Sequence, residues 1–296
     1  MSLKFHKYVS IGNDFVLLEE DEVGRWLGGS VGIEEAYPKI AIGLCDRRFG
    51  IGSDGLLTYK EADGKVVMRM FNPDGTEDFC GNGLRCAALH AKRNGFADKE
   101  LTLSHRGQDV QTTFSLGGWI DVGLPKPRFE PQAVPLAEGV GEVYDRQMRA
   151  GDRNVRASSV NVGSTHTILM VDGPPSDEDF KHLGPAIEHH DWFPERTSVI
   201  WCWPREERFN AFAIRIWERG VGETLGCGTG SAAAAACIFR DRPLVAAEIK
   251  NPGGDCAVAL GPDGTLVTSA KANHVFSGET LPGFPGGILS AAQDPS

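Results

Sequence analysis

No stretch of this 296-residue chain approaches 18 apolar residues, and the opening segment Met1 to Lys7 has neither the basic start nor the apolar middle of a signal peptide. The expected address is the cytoplasm, with no membrane partner. Basic residues are the minority, 30 against 40 acidic ones, for a formal net charge of -10. Such a balance repels nucleic acid, so none is expected as a partner. No Cys-x-x-Cys pair occurs among the seven cysteines, and their odd number does not make a disulfide framework; no metal site is expected. No glycine-rich nucleotide fingerprint, phosphate-loop lysine pattern or Schiff-base lysine context is present, so the expected chemistry uses no cofactor. Glycine is abundant at 37 residues but lacks a Gly-X-Y period, so it marks turns and close backbone approaches.

The chain does contain a repeat. Val9-Ser10-Ile11-Gly12-Asn13-Asp14, followed by apolar Phe15 to Leu18, parallels Val160-Asn161-Val162-Gly163-Ser164-Thr165, followed by Thr167 to Val171. Met68-Arg69-Met70-Phe71-Asn72 parallels Ile214-Arg215-Ile216-Trp217-Glu218. Cys80 and Cys227 each open a Cys-Gly-x-Gly pattern that runs into a helix. The three offsets, 151, 146 and 147, mark an internal duplication.

Leu84, Ala87, Ala88 and Ala91 fall on one face of a predicted helix over Gly83 to Arg93, stopped by Asn94-Gly95. Ser231 to Phe239 is apolar all round, the pattern of a helix enclosed on every side. Further helices are expected over Val31 to Cys45 and Glu178 to His190. Strands are expected over Val66 to Phe71, Leu101 to Leu103, Val110 to Leu116, Trp119 to Val122, Ser198 to Trp203, Ala211 to Trp217, Ala246 to Ile249, Asp255 to Leu260 and Leu266 to Ser269, with Asp63-Gly64 and Asp263-Gly264 as hairpin turns. The fold class is α+β: two pseudo-symmetric domains, each a curved, mostly antiparallel sheet wrapped around a central helix. The expected domains are 1–124, carrying Cys80, and 125–274, carrying Cys227, joined through the Pro-rich stretch Leu124 to Pro135. The segment from about 275 to 296 is expected to pack back on the first domain, and Leu281 to Gly287 has little secondary-structure signal.

A cysteine at a helix start sees unpaired N–H groups and the positive end of the helix dipole, which favour thiolate. The following glycines keep those N–H groups open, where they can cradle a carboxylate. Alternatively, Gly-x-Gly eases a tight loop into a buried helix. Two copies in two half-domains shift the balance, because pseudo-twofold pairing would bring both helix starts to one cleft. Inverting a carbon requires a proton taken from one face and another delivered to the other, the work of two opposed groups of similar acidity.

Several blocks together have a family likeness: Ile11-Gly12-Asn13-Asp14-Phe15, Asp46 to Gly52, Phe71-Asn72-Pro73-Asp74-Gly75, Cys80 to Cys86, Glu218 to Thr224, and Cys227-Gly228-Thr229-Gly230. With these the chain resembles the diaminopimelate epimerases, cofactor-independent amino-acid epimerases with two catalytic cysteines, over Phe5 to about Glu279. The resemblance implies that Cys80 and Cys227 are the acid and base. It implies that Gly81, Asn82, Gly228 and Thr229 hold the reacting carboxylate, with Asn13 beside it. Asn72, Glu218 and Arg219 would bind the distal end of the substrate; read locally, Asn72 can equally form a turn, and Glu218 and Arg219 an exposed pair. The expected reaction interconverts LL- and meso-2,6-diaminopimelate, a small-molecule substrate, in a homodimer. Where the family has Gln, Asn and Asn, this chain has Gly55, Ser164 and Ser198, and Thr268 to Ala272 replaces Thr-Gly-Pro-Ala. An alternative is therefore a racemase of another amino acid, such as histidine or a diamino acid. His166 is expected to be structural, and Cys86 and Cys237 are expected in the core. Two other classes stay open: an isomerase using acidic and histidine side chains, against which both cysteines argue, and a non-catalytic binding protein.

Overall fold

The computed structural model describes residues 2–29 and 31–282; the segment 283–296, and with it most of the expected C-terminal packing, lies outside the described residues. In chain order the elements are β1 (Lys4–Ser10), β2 (Asn13–Glu19), α1 (Glu20–Leu27), α2 (Ile33–Cys45), β3 (Gly55–Ala62), β4 (Lys65–Phe71), α3 (Gly81–Arg93), β5 (Glu100–His105), β6 (Gln108–Phe114) and β7 (Trp119–Leu124). They continue with β8 (Arg146–Ala150), β9 (Arg153–Asn161), β10 (Thr165–Met170), α4 (Asp177–Glu188), β11 (Ser198–Pro204), β12 (Ala211–Glu218), β13 (Gly222–Thr224), α5 (Gly228–Asp241), β14 (Ala246–Asn251), β15 (Gly254–Leu260) and β16 (Leu266–Glu279). The class is α+β. Among the described residues no helix is long and apolar enough to cross a membrane.

The contacts divide the chain into two compact units. One runs up to Val122 and takes the end of β16 from Lys271; the other is Gly123–Ala270. In the first, β1 pairs antiparallel with β2, β2 parallel with β3, β3 antiparallel with β4, β4 parallel with β5, β5 antiparallel with β6, and β6 antiparallel with β7. In the second, β9, β10, β11, β12, β14, β15 and β16 repeat that series of senses joint for joint. The register repeats too. Val66 pairs with Leu103 and Phe212 with Ile249, both partners displaced by 146 residues, and Thr112–Val122 recurs as Val258–Thr268 at the same displacement. Register is set wherever one face of a strand is buried, because a one-residue slip turns every side chain over.

In each unit a helix lies inside its sheet. The first, α3, packs on β1 to β5, and the second, α5, on β9, β10, β11, β14 and β15. Leu84, Cys86, Ala87, Ala88 and Ala91 are buried, and so is every residue from Ala232 to Ile238. Alanine lets strands close on α5 from all sides without a helix-propensity cost. On the outer face, α1 and α2 cover β2, β3 and β4 through Val23, Leu27, Tyr37, Ile40 and Leu44, while α4 covers β8 and β11 through Phe180, Leu183 and Ile187. Asp63 and Gly64 both have positive φ, which a two-residue hairpin turn requires.

An arginine repeats across the outer layer. Arg69 Nε donates to Glu77 (3.1 Å) and its Nη1 to Glu34; Arg215 Nε donates to Glu223 (2.8 Å) and its Nη1 to Asp177 (2.8 Å). Each guanidinium thus ties its strand to the segment before a cysteine, a loop at Glu77 and β13 at Glu223, and to an outer helix.

Candidate active site

Cys80 and Cys227 are the N-cap residues of α3 and α5, with nearly identical extended backbones, φ −140 and ψ 105 against φ −138 and ψ 112. The sulfur occupies the place of a capping oxygen: Cys80 Sγ accepts from Gly83 N–H (3.3 Å) and Cys227 Sγ from Gly230 N–H (3.2 Å). The helical ladders begin one residue later, with Leu84 N–H on Cys80 O and Ser231 N–H on Cys227 O. The N–H groups of Gly81, Asn82, Gly228 and Thr229 therefore precede the ladder, as the first N–H groups of any helix do.

The second glycine of each motif has a tighter role than keeping a loop open. A Cβ on Gly83 would lie 2.8 Å from Leu57 Cδ2 and 3.6 Å from Cys80 Sγ; on Gly230 it would lie 2.9 Å from Ile200 Cδ1 and 3.2 Å from Cys227 Sγ. A side chain there would push a neighbouring strand or the sulfur itself. The other five cysteines are buried, Cys86 and Cys237 among them.

Two residues escaped the sequence reading. The backbone N–H of Cys80 donates to His105 Nε2 (3.4 Å), and that of Cys227 to Asn251 Oδ1 (3.2 Å). Both acceptors are fully buried and separated by the same 146 residues as their strands. His105 Nδ1 donates to Met68 O (3.0 Å), which leaves Nε2 bare to accept; burial keeps this imidazole's pKa below its usual value. Asn251 is oriented by Ser231 (3.0 Å). The strand offset itself was the available signal: carried along β5 and β14, it pairs His105 with Asn251, although the two cysteines stand 147 residues apart.

Within the first unit, Asn13 and Asn82 meet Cys80's helix start. Asn82 Nδ2 donates to Asn13 Oδ1 (2.7 Å), and Asn13 Nδ2 donates to Asp54 (3.3 Å). Arg47 holds both Asp54 (2.7 Å) and Asp14 (2.6 Å), which gives the Asp46 to Gly52 block a structural purpose. Burial alone would raise the Asp14 pKa, but the bonds from Arg47 and Lys7 outweigh it and hold the carboxyl below its usual range. Asn72 is tied into a turn, its N–H on Thr76 O (2.8 Å) and its Nδ2 on Thr76 Oγ1 (3.1 Å).

Within the second unit, Glu218 lies beside the sulfur. It accepts from Thr224 Oγ1 (3.0 Å), and its carboxylate acts directly on Cys227. Thr229 Oγ1 sits 3.4 Å from the same sulfur. Burial pushes the Cys227 thiol well above its ordinary pKa, and Glu218 adds to the shift; Thr229 and the Gly230 N–H pull the other way and lose. The expectation that a helix start favours thiolate is reversed here by desolvation, although part of the residue stays exposed. Ser198 Oγ accepts from Arg219 N–H (3.1 Å), and Arg219 Nη1 donates to Glu195 O (3.2 Å). Ser164 Oγ bonds His166 Nε2 (2.9 Å), and His166 is the strand partner of Ser198. Among the described residues, His166 Nδ1 is a buried side-chain atom without a hydrogen-bond partner; burial, with the Arg219 charge adding, takes the His166 pKa down to about 3. The loop carrying Arg219 is anchored by buried Glu188, which accepts from Gly220 N–H and Trp217 Nε1, both at 2.8 Å.

The family model described as diaminopimelate epimerase matches residues 5–123 and 158–275. A diaminopimelate epimerase of Synechococcus elongatus is 33% identical over 285 residues, covering 94% of this chain and 98% of its own. One from Caldanaerobacter subterraneus is 35% identical over 288 residues, covering 94% and 99%. Among solved structures, a probable proline racemase from Agrobacterium radiobacter, with bound carbonate, has a TM-score of 0.66 at 12% identity, covering 96% of this chain and 95% of that one. A phenazine biosynthesis protein of Bacillus anthracis has a TM-score of 0.64 at 16% identity, covering 95% and 99%. These two likenesses concern the fold.

Proposed function

This chain belongs to the diaminopimelate epimerase family of isomerases, and from that premise we propose that it interconverts LL- and meso-2,6-diaminopimelate by proton exchange at the α-carbon, with Cys80 and Cys227 as the two proton-transfer groups. The observation that carries the reading is the repeated cap: two sulfurs, each accepting the N–H three residues on, at equivalent points of two units with the same strand series. One thiolate takes the α-proton while the other group, as a thiol, supplies a proton; the two cysteines end with their protonation exchanged, so the reverse reaction starts from the product state. The raised pKa of Cys227 favours its neutral thiol, the donor form.

The substrate carboxylate gains charge as its α-carbon becomes a carbanion. Backbone N–H groups of Gly81, Asn82, Gly228 and Thr229 stabilise that change, a donor of this kind being worth about 3 kcal/mol. Asn13 supports the same end through Asn82. Arg219 and Asn72 recognise the distal amino-acid end. Glu218 acts on Cys227 as well as on a distal ammonium. His105 and Asn251 fix the cysteine backbones.

A second reading, inversion of another amino acid, rests on Gly55, Ser164 and Ser198. The two hydroxyls are bonded to His166 and Arg219 N–H, so they are engaged internally rather than reaching outward. A Cβ on Gly55 would stand 2.8 Å from Met70 Cε and 3.1 Å from Phe71 O, so the longer residue of the family pattern requires the end of the Met70 side chain to move. A homodimer in the cytoplasm completes the proposal, and light scattering over a wide concentration range tests the dimer. The deciding assay incubates the enzyme with LL-diaminopimelate in deuterated water, followed by chiral separation and mass measurement. Meso product carrying one solvent deuteron is expected. Inversion of histidine or a shorter diamino acid with none of diaminopimelate would select the second reading.

A further inference from the structure

Far from Cys80, at the other end of α3, three side chains from three elements converge. His90 lies ten residues after Cys80, about 15 Å along the helix. His6 comes from β1 and Glu19 from the end of β2. Glu19 Oε1 is 3.1 Å from His90 Nε2 and 3.7 Å from His6 Nε2, and the three atoms all lie within 4.8 Å of one another.

We propose that His6, Glu19 and His90 form a binding site for a divalent transition-metal cation of the zinc class. Bonds of about 2.0–2.1 Å in a tetrahedral site place ligand atoms ~3.3 Å apart, so modest side-chain movement closes the set on an ion. The imidazoles are oriented for it. His90 Nδ1 bonds Tyr8 OH (2.9 Å) and His6 Nδ1 bonds Ser277 Oγ (2.8 Å), which leaves both Nε2 atoms facing the carboxylate. Ligating histidines characteristically hold their second nitrogen in this way. Asn94 Nδ2, now 2.9 Å from His90 Nε2, gives way to the ion. Two imidazoles and one carboxylate suit zinc, cobalt or nickel; magnesium and calcium favour all-oxygen sets.

His6 and Glu19 are only partly buried, so water reaches the open positions of the ion, while His90 is enclosed. Nothing in the proton-transfer chemistry uses this cluster. A bound cation would tie β1, β2 and the end of α3 together and add to stability through binding to the folded chain alone.

Zinc titration of the chelator-treated full chain by calorimetry tests the site, alongside His6→Gln and Glu19→Gln. Both positions are partly exposed, so neither substitution opens a core cavity. Thiols also bind zinc, so the readout is the difference between parent and variants. Cobalt spectra separate the two ligand types, since thiolate ligation adds strong near-ultraviolet charge transfer and a site of nitrogen and oxygen does not. One equivalent bound through nitrogen and oxygen is expected, about tenfold or more weaker in each variant, with a zinc-dependent rise in Tm that the variants lose. His182→Gln, which removes a histidine paired with Asp152 in the other unit, should bind as the parent does. Absence of that equivalent in the parent, or equal affinity in parent and both variants, overturns the proposal.

Discussion

In the first unit Phe15 stands opposite Gly55 across the parallel joint of β2 and β3; at the equivalent joint of the second, His166 stands opposite Ser198. The backbone pairing is the same and the side chains are not. A Cβ on Gly55 would stand 2.8 Å from Met70 Cε and 3.1 Å from Phe71 O, with Phe15 Cδ1 at an ordinary 3.5 Å, so β4 rather than the ring crowds this position; in the second unit Ser198 Oγ instead accepts from Arg219 N–H. Beneath the cysteines the same divergence recurs, neutral His105 in one unit and Asn251 in the other, both accepting a cysteine N–H. What a duplicated fold preserves is the register and the hydrogen-bond demand, and either an imidazole or an amide can meet that demand.

The comparison is broken most severely at the sulfurs. Cys80→Ala and Cys227→Ala should each lower inversion by at least about 10³-fold, since general acid–base groups contribute roughly 10²–10⁴ and inversion needs both. Far-ultraviolet circular dichroism should stay at the parent level. Deuterium wash-in without inversion should favour one epimer in one variant and the opposite epimer in the other. Residual exchange without any preference would falsify two groups of distinct facial role. Cys86→Ala, a buried position on the same helix as Cys80, should cost about 1–2 kcal/mol of stability while activity per folded molecule is retained.

The glycines three residues on sharpen the comparison. Gly83→Ala and Gly230→Ala overpack equivalent points, at an expected cost of about 1–3 kcal/mol each in urea unfolding. Gly230→Ala should lower kcat more, because its Cβ would meet both Cβ (3.1 Å) and Sγ (3.2 Å) of Cys227, while at Gly83 the corresponding distances are 3.5 and 3.6 Å. Equal kcat in the two variants would show that the tighter contact does not reach the sulfur.

The last expected effect appears only on acidification and concerns His166, whose pKa falls from an ordinary 6.5 in the unfolded chain to about 3 in the folded one. Below pH 6.5 the unfolded chain takes up a proton that the folded chain refuses. Stability from this group is therefore complete above about pH 6.5 and is lost at roughly 1.4 kcal/mol per pH unit as pH falls toward 3. Urea unfolding between about pH 7 and pH 5 should show a shallower decline for His166→Gln than for the parent. Parallel slopes would remove His166 as the source. Phe15, its counterpart, has no proton to exchange.

Much of this arrangement is legible from local pattern. The helix faces, the hairpin at Asp63-Gly64 and the enclosed alanine helix follow from periodicity and turn chemistry over a few residues. The helix α1 carries no such signal: Val23 and Leu27 are its only buried residues, and Glu19 gives it no side-chain cap, so packing sustains it. The strand β16 runs past its expected end at Ser269 to Glu279, because its later residues pair with β1 at the other end of the chain. Val275 and Phe276 are exposed there, so no apolar alternation announces that pairing.

Sequence by itself determined the duplication, the two Cys-Gly-x-Gly helix starts and the identity of the family, because each is written in short runs of contiguous residues, the repeated ones at offsets of 151, 146 and 147. Tertiary structure alone decided which groups stand next to the sulfurs. Glu218 is returned to Cys227 by the turn between β12 and β13, His105 and Asn251 are set beneath the caps by strand register, and Arg47 reaches Asp14 and Asp54 behind Asn13 from the loop after α2. It also decided the direction in which the Cys227 pKa moves. Helix polarity read from sequence favours thiolate, but the cost of removing a charge from water depends on everything folded around the sulfur, and here that cost outweighs the pull of the helix start.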